Sequence, residues 1–198
     1  MGVDKIIKQI LSESIKVKNK ILDDPSLLDQ IGKISSVIIE AYKRKNKVIL
    51  FGNGGSAADA QHVAGELVNK FQLEREALPA IALTTDSSVL TSIANDYDYS
   101  RIFARQVEAW AKEGDVVIGI STSGNSANVM EAVKVAKEKG AKTIGFTGRS
   151  GGKLAKLVDL AVRVPSDETP RIQESHITIL HIICYLVERG LFGSQSRA

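Results

Sequence analysis

At 198 residues, 43% hydrophobic and 25% charged, the chain has an ordinary globular composition and enough length to bury a core without staples. Its net charge of +3 is mild, its basic residues are scattered and only 5% of residues are aromatic, which argues against a nucleic-acid-binding surface. The single cysteine, Cys184, excludes a disulfide framework; no apolar stretch reaches transmembrane length and no secretory apolar region opens the chain, so a cytoplasmic protein with no membrane partner is expected.

From residue 4 to about 22, Ile6, Ile7, Ile10, Leu11, Ile15 and Leu22 recur at helical spacing. Asp23-Asp24-Pro25-Ser26 interrupts them, and a second amphipathic helix is predicted from Leu27 to about Lys43, where Lys43-Arg44-Lys45-Asn46-Lys47 suits a solvated helix end. The texture then alternates. Val48–Phe51 predicts a buried strand, Ala57–Lys70 a helix, Leu78–Leu83 a strand, Asp86–Ala94 a short helix and Tyr99–Lys112 a longer one. Val116–Ile120 is the next strand, followed by a helix to Lys139, a strand at Thr143–Thr147, a short helix near Leu154, a strand at Leu160–Val164 and a final helix over Arg171–Glu188. Five strands with helical crossovers predict an α/β fold: a parallel sheet flanked by helices, in one domain spanning 1–198. The two leading helices, 1–45, are expected to pack on that sheet and in an oligomer interface. Cys184, inside Ile182-Ile183-Cys184-Tyr185-Leu186, reads as a buried structural thiol.

Two strands run into loops suited to an anionic ligand. After Val116–Ile120 come Ser121, Thr122, Ser123 and Ser126 around Gly124, ahead of a helix marked by Val129, Ala132, Val133 and Ala136. Hydroxyls and unpaired N–H groups at a helix start make a site for a phosphate monoester. A plain N-cap at Ser126 is the structural alternative. After Val48–Phe51 comes Gly52-Asn53-Gly54-Gly55-Ser56, where small residues admit a ligand and Ser56 suits the helix N-cap. Ligands of open α/β sheets bind outside the strands' carboxyl ends, so both loops can line one crevice. Gly52-x-Gly54-x-x-Ala57 also satisfies a relaxed dinucleotide fingerprint, but the acidic residue expected about 20 positions on is missing. No nucleotide cofactor is therefore expected.

His62 and Glu66, four residues apart on the helix after the glycine loop, share a face. Gln173 and His181 lie on the last helix, with His176 between them. Imidazole and carboxylate suit zinc or another borderline divalent metal, whereas a surface pair and a core histidine are the structural alternative. Gln173 and His181 would stand roughly 12 Å apart along one straight helix, too far to share an ion. Either the helix starts after Gln173, or the two act in different copies of the chain; a site shared in an oligomer is the expectation.

Together Gly52-Asn53-Gly54-Gly55-Ser56, Asn95-Asp96, Ser121-Thr122-Ser123-Gly124-Asn125-Ser126 and Thr169-Pro170-Arg171-Ile172-Gln173-Glu174 resemble the sugar isomerase (SIS) family and, within it, the phosphoheptose isomerases. The resemblance covers nearly the whole chain. It implies a flavodoxin-like three-layer sandwich and interconversion of sedoheptulose 7-phosphate with D-glycero-D-manno-heptose 7-phosphate, the first step of ADP- or GDP-heptose biosynthesis. It further implies one zinc per site at positions matching His62, Glu66, Gln173 and His181, and a homotetramer with active sites at subunit interfaces. Substrate contacts are implied at Asn53, Gly54, Gly55, Ser56, Glu66, Asn95, Asp96, Ser121, Thr122, Ser123, Ser126 and Gln173. Glu66 is then expected as the base and His181 as its acid partner. A non-catalytic sugar-phosphate sensor, or a replication-initiator-binding protein of the same fold, is the alternative; such relatives look depleted at positions matching Glu66 and His181, which this chain keeps.

Overall fold

The computed structural model describes residues 2–193, so the ends of the predicted 1–198 span lie outside the described residues. Five short strands, β1 (Val48–Gly52), β2 (Ala80–Ala82), β3 (Val116–Ile120), β4 (Lys142–Thr147) and β5 (Leu160–Arg163), pair in parallel in the order β2-β1-β3-β4-β5. Their side chains alternate between two apolar faces, as a sheet covered on both sides requires. Val48, Leu50, Ile118 and Ile144 join one core with Ile34 and Ile38 of α2 (Pro25–Lys43), Val63 and Leu67 of α3 (Gly55–Val68), and Ile179 and Ile183 of α8 (Thr169–Phe192). Ile49, Phe51 and Val117 join the other with Val107 of α5 (Ala104–Trp110), Val129 and Val133 of α6 (Ala127–Glu138) and Leu154 of α7 (Leu154–Leu157). At Gly119 a Cβ would stand 2.9 Å from Val129 Cγ1, so the missing side chain lets α6 pack close on β3.

This is the expected α/β three-layer sandwich, and its strand order is the flavodoxin-like one. The chain leaves β1 toward β2 on one side and resumes with β3 on the other. The reversal opens a crevice between the carboxyl ends of β1 and β3, the two strands that carry the glycine and serine loops.

Several boundaries differ from the sequence-based expectation, each for a local reason. α2 begins at Pro25, because Asp24 accepts from Ser26 N and Leu27 N at 3.0 and 3.1 Å and proline fits the first helical turn. The predicted strand from Leu78 shortens to β2, since Leu78 N donates to Leu67 O at the end of α3 instead of to the sheet. The predicted helix Tyr99–Lys112 divides into a 3-10 turn at Tyr99–Arg101, opened by the Asp98 side chain, and α5. The last helix runs longer at both ends, with Pro170 in its first turn.

The first helix, α1 (Val3–Leu22), buries Val17 and Ile21 but exposes Ile6, Ile7, Ile10, Leu11 and Ile15. Arg171 ties it to α8 by donating to Ile10 O, while Ser14 Oγ donates to Glu174. α4 (Ser87–Asp96) packs beside the 3-10 turn, and Cys184 is buried as expected, its thiol pushed up to about 12 chiefly by burial. Among the described residues no helix is long and apolar enough to cross a membrane.

Candidate functional site

At the carboxyl end of β1 the chain must turn sharply into α3. A Cβ on Gly52 would lie within 2.9 Å of Ile120 O and Ser56 O, and Gly54 holds φ +57, so both glycines are demanded by the backbone. Gly54, not Ser56, takes the N-cap position; Ser56 is the second helical residue and is buried. Asn53 is held by three hydrogen bonds with two residues. Its amide exchanges two hydrogen bonds with Asn128, at 2.9 and 2.8 Å, and the Tyr99 hydroxyl donates to its Oδ1 at 3.2 Å. With Ser126 these residues line a cavity of about 370 Å³. Sequence reasoning passed over Asn128 and Tyr99: an asparagine in the first turn of a helix reads as a cap, and a tyrosine in a 3-10 turn has no periodic signal.

The serine loop converges its hydroxyls. Ser121 Oγ lies 2.9 Å from Ser126 Oγ and 3.5 Å from Ser123 Oγ, and Ser123 Oγ accepts from Asn125 N. Ser126 occupies the N-cap of α6 but makes no side-chain capping bond; its hydroxyl turns toward the loop instead. Gly124, at φ +65, closes the turn, and Leu154 N and Lys153 N pin it from the loop after β4. Thr122 is held through its carbonyl, which accepts from Gly148 N. The hydroxyls thus face the amino terminus of a 12-residue helix, a favourable setting for an anion.

The second constellation lies on the outer side of the α3–α8 layer. His62 Nε2 stands 2.9 Å from His181 Nε2 and 3.1 Å from Glu66 Oε1, and the three donor atoms lie within 4.8 Å of one another. The Phe71 ring packs on His181 at 5.6 Å between centroids. Tetrahedral zinc with bonds near 2.0–2.1 Å holds its nitrogen ligands roughly 3.3 Å apart, so these donors already stand close to the spacing an ion needs. Asp59 lies one turn before His62 but is not among these donors. Its Oδ2 is buried without a hydrogen-bond partner, and burial pushes its carboxyl up to about 6 against the opposing pull of His62. The spacing of the three donors fits a divalent cation.

Gln173 is not with these three. A Cβ on Gly55 would lie 2.4 Å from Gln173 Nε2, so the amide rests on the first turn of α3. α8 begins at Thr169, which removes the possibility that the helix starts after Gln173. α3 and α8 run side by side in the same direction, meeting first at Gly55 and Gln173 and then, two turns on, at His62 and His181. Asn95 and Asp96 sit exposed at the end of α4, hydrogen-bonded to each other, and Asp96 lines a different cavity with Tyr97, Arg105 and Trp110.

His176 is a core residue. Fully buried, it faces Thr147 O at 3.1 Å and meets the Phe146 ring edge-on, and burial pushes it down to about 4 while the Thr147 carbonyl works the other way.

Comparison with known proteins agrees with the fold. The SIS domain family profile matches residues 13–148. A phosphoheptose isomerase of Clostridium acetobutylicum is 57% identical over 96% of both chains, and one of Aneurinibacillus thermoaerophilus is 55% identical over 96% of both. The solved structure of a phosphoheptose isomerase from Neisseria gonorrhoeae superposes with a TM-score of 0.89 at 40% identity, covering 94% of this chain and 99% of that one. Another, from Francisella tularensis, gives 0.91 at 37% identity, covering 96% and 100%.

Proposed function

The chain belongs to the SIS family and, within it, to the phosphoheptose isomerases, and from that membership we propose that it interconverts sedoheptulose 7-phosphate and D-glycero-D-manno-heptose 7-phosphate. That it isomerises a sugar phosphate follows from the family; the seven-carbon substrate and its place at the entry to nucleotide-activated heptoses are the proposal. The observation that carries it is the pairing of a phosphate-type serine loop with an imidazole–carboxylate–imidazole cluster in one chain.

An aldose–ketose isomerisation moves a proton between adjacent carbons through an enediolate, and it needs a base, an acid and stabilisation of the developing oxyanion. Ser121, Thr122, Ser123 and Ser126 anchor the phosphate, with Asn53, Gly54, Gly55, Ser56, Asn95 and Asp96 as further substrate contacts. Glu66 removes the carbon-bound proton. Its Oε1 faces His62, which leaves the other carboxylate oxygen for the transfer. His181 moves the proton between the two substrate oxygens. His62, Glu66 and His181, joined by Gln173, would hold a zinc ion, which supplies Lewis-acid polarisation of the carbonyl.

Within one chain the parts stay apart. His62 lies about two turns, roughly 10 Å, along α3 from Gly55, and neither it, Glu66 nor His181 hydrogen-bonds to the serine loop. The cluster is bordered by exposed Val68, Ile182, Tyr185 and Leu186, and α1 exposes its own apolar stripe. Both features favour a homotetramer whose copies bring a serine loop to the cluster of a neighbour, and which also gathers Gln173.

Incubation with sedoheptulose 7-phosphate should yield the aldoheptose phosphate, and prior chelation should abolish the activity until zinc is restored. Binding of the sugar phosphate without turnover would instead favour the sensor reading.

A further inference from the structure

About two turns beyond His181 on α8, a buried ion pair ties that helix to the loop that follows α3. Arg75, in the loop after α3, has a side chain only 1% exposed. Its Nη2 donates to Glu66 O at 2.9 Å, and its Nη1 donates to Leu67 O, Asn69 O and Glu76 O at 2.9, 3.3 and 2.9 Å. Its Nε donates to Glu188 Oε1 at 3.1 Å. Every one of its N–H-bearing nitrogens is thus engaged, three of the acceptors being carbonyls at or just beyond the end of α3.

Glu188 lies on α8 seven residues after His181, and therefore on the same face of the helix. It is 1% exposed. Its two oxygens accept from Phe71 N, Gln72 N and Leu73 N at 3.0, 2.8 and 2.9 Å as well as from Arg75. Burial pushes this carboxyl up, but the three N–H groups and the guanidinium outweigh it and hold the group below the usual carboxylate range. The loop so gathered carries Phe71, whose ring packs on His181. One contact set therefore grips the turn of α3 that bears Glu66, the stretch of α8 that bears His181, and the ring that backs His181.

We propose that the Arg75–Glu188 pair is a positioning clamp: it sets the separation of α3 and α8 at which His62, Glu66 and His181 share one divalent cation. This rests on the assignment of that cluster as a cation site. A buried ion pair adds little net stability over an apolar pair of equal size. A planar guanidinium with all three of its nitrogens engaged adds fixed geometry instead. Groups behind a metal site commonly matter for the ion as much as for the fold.

The chain's three histidines, His62, His176 and His181, provide the readout. The full-length protein is labelled with carbon-13 at histidine Cε1, and its ring signals are compared between wild type, Glu188→Gln and Arg75→Lys. Zinc affinity is measured in parallel by competition with a chromophoric chelator. In both variants the His62 and His181 signals should move while His176 stays, and zinc affinity should fall about 10–100-fold. Asp159→Asn, which disturbs the Thr143 contacts at the β4–β5 edge, controls for general destabilisation and should leave zinc affinity unchanged. Unmoved His62 and His181 signals in the clamp variants would overturn the proposal, as would an equal loss of zinc affinity in Asp159→Asn. If the wild type binds no zinc, the cation assignment fails, while the ring signals still decide whether the pair positions the cluster. Should Glu188→Gln not fold, Arg75→Lys carries the same measurements.

Discussion

Ser121 and Ser126 bring their hydroxyls to 2.9 Å across five residues of chain, whereas His62 and His181 bring ring nitrogens to the same 2.9 Å across 119. The serine loop is a local object. Gly124 at φ +65 makes its turn, and its hydroxyls bond to one another and to the loop's own backbone. The cluster is a product of packing, present only because α3 and α8 run in parallel at a set distance. The two should therefore fail differently: damage to the loop weakens holding, and damage to the helix pair stops chemistry.

The largest expected effect is at Glu66. Glu66→Gln keeps shape and removes the proposed base, so kcat should fall on the order of 10³-fold. Sugar-phosphate affinity, measured calorimetrically on the same protein, should stay near that of the wild type. Near-normal turnover would erase the division between holding and chemistry.

His176 sharpens the contrast within one helix, since it stands five residues before His181 but faces the core. Its ring is neutral when folded, with its protonation pushed down to about 4 from an unfolded value of 6.5. The folded pKa is the lower one, so this stability is fully present above about pH 6.5 and is lost as pH falls through 4. The loss amounts to about 3 kcal/mol. Urea unfolding of wild type and His176→Gln between pH 7.5 and 4.5 should show the gap between them narrowing as pH falls. A constant gap would mean the ring is not buried neutral.

A smaller effect is expected in the loop. Ser123→Ala removes one hydroxyl from the proposed phosphate cradle and should weaken apparent affinity for the phosphorylated sugar about tenfold, near 1.4 kcal/mol. kcat at saturation should change little. An unchanged affinity would count against the loop as the anchor. An equal fall in kcat would join the two regions that the structure keeps separate.

The strands, the helices and both loops were legible because each writes its pattern into adjacent residues. Val48–Gly52 and Val116–Ile120 are apolar runs closed by glycine or serine, and α1 and α2 carry apolar residues at helical spacing. Errors fell where one side chain or one contact redirects the backbone, as Asp98 does before the 3-10 turn and Leu67 O does at Leu78. His62 and Glu66 could be paired by their spacing alone. That His181 would join them came only from the family resemblance, and that Gln173 would lie two turns away over Gly55 came from neither.

The chain by itself determined the α/β class, the two ligand-facing loops and the residue types able to bind phosphate and metal, because these depend on spacing along a few turns or strands. Tertiary structure alone decided which of them meet. It chose the register of α8 against α3, placed Asn128 and Tyr99 around Asn53, and joined Arg75 to Glu188. The physical reason is that helix register is set by the summed packing of apolar side chains across both layers, a quantity no local stretch of residues contains.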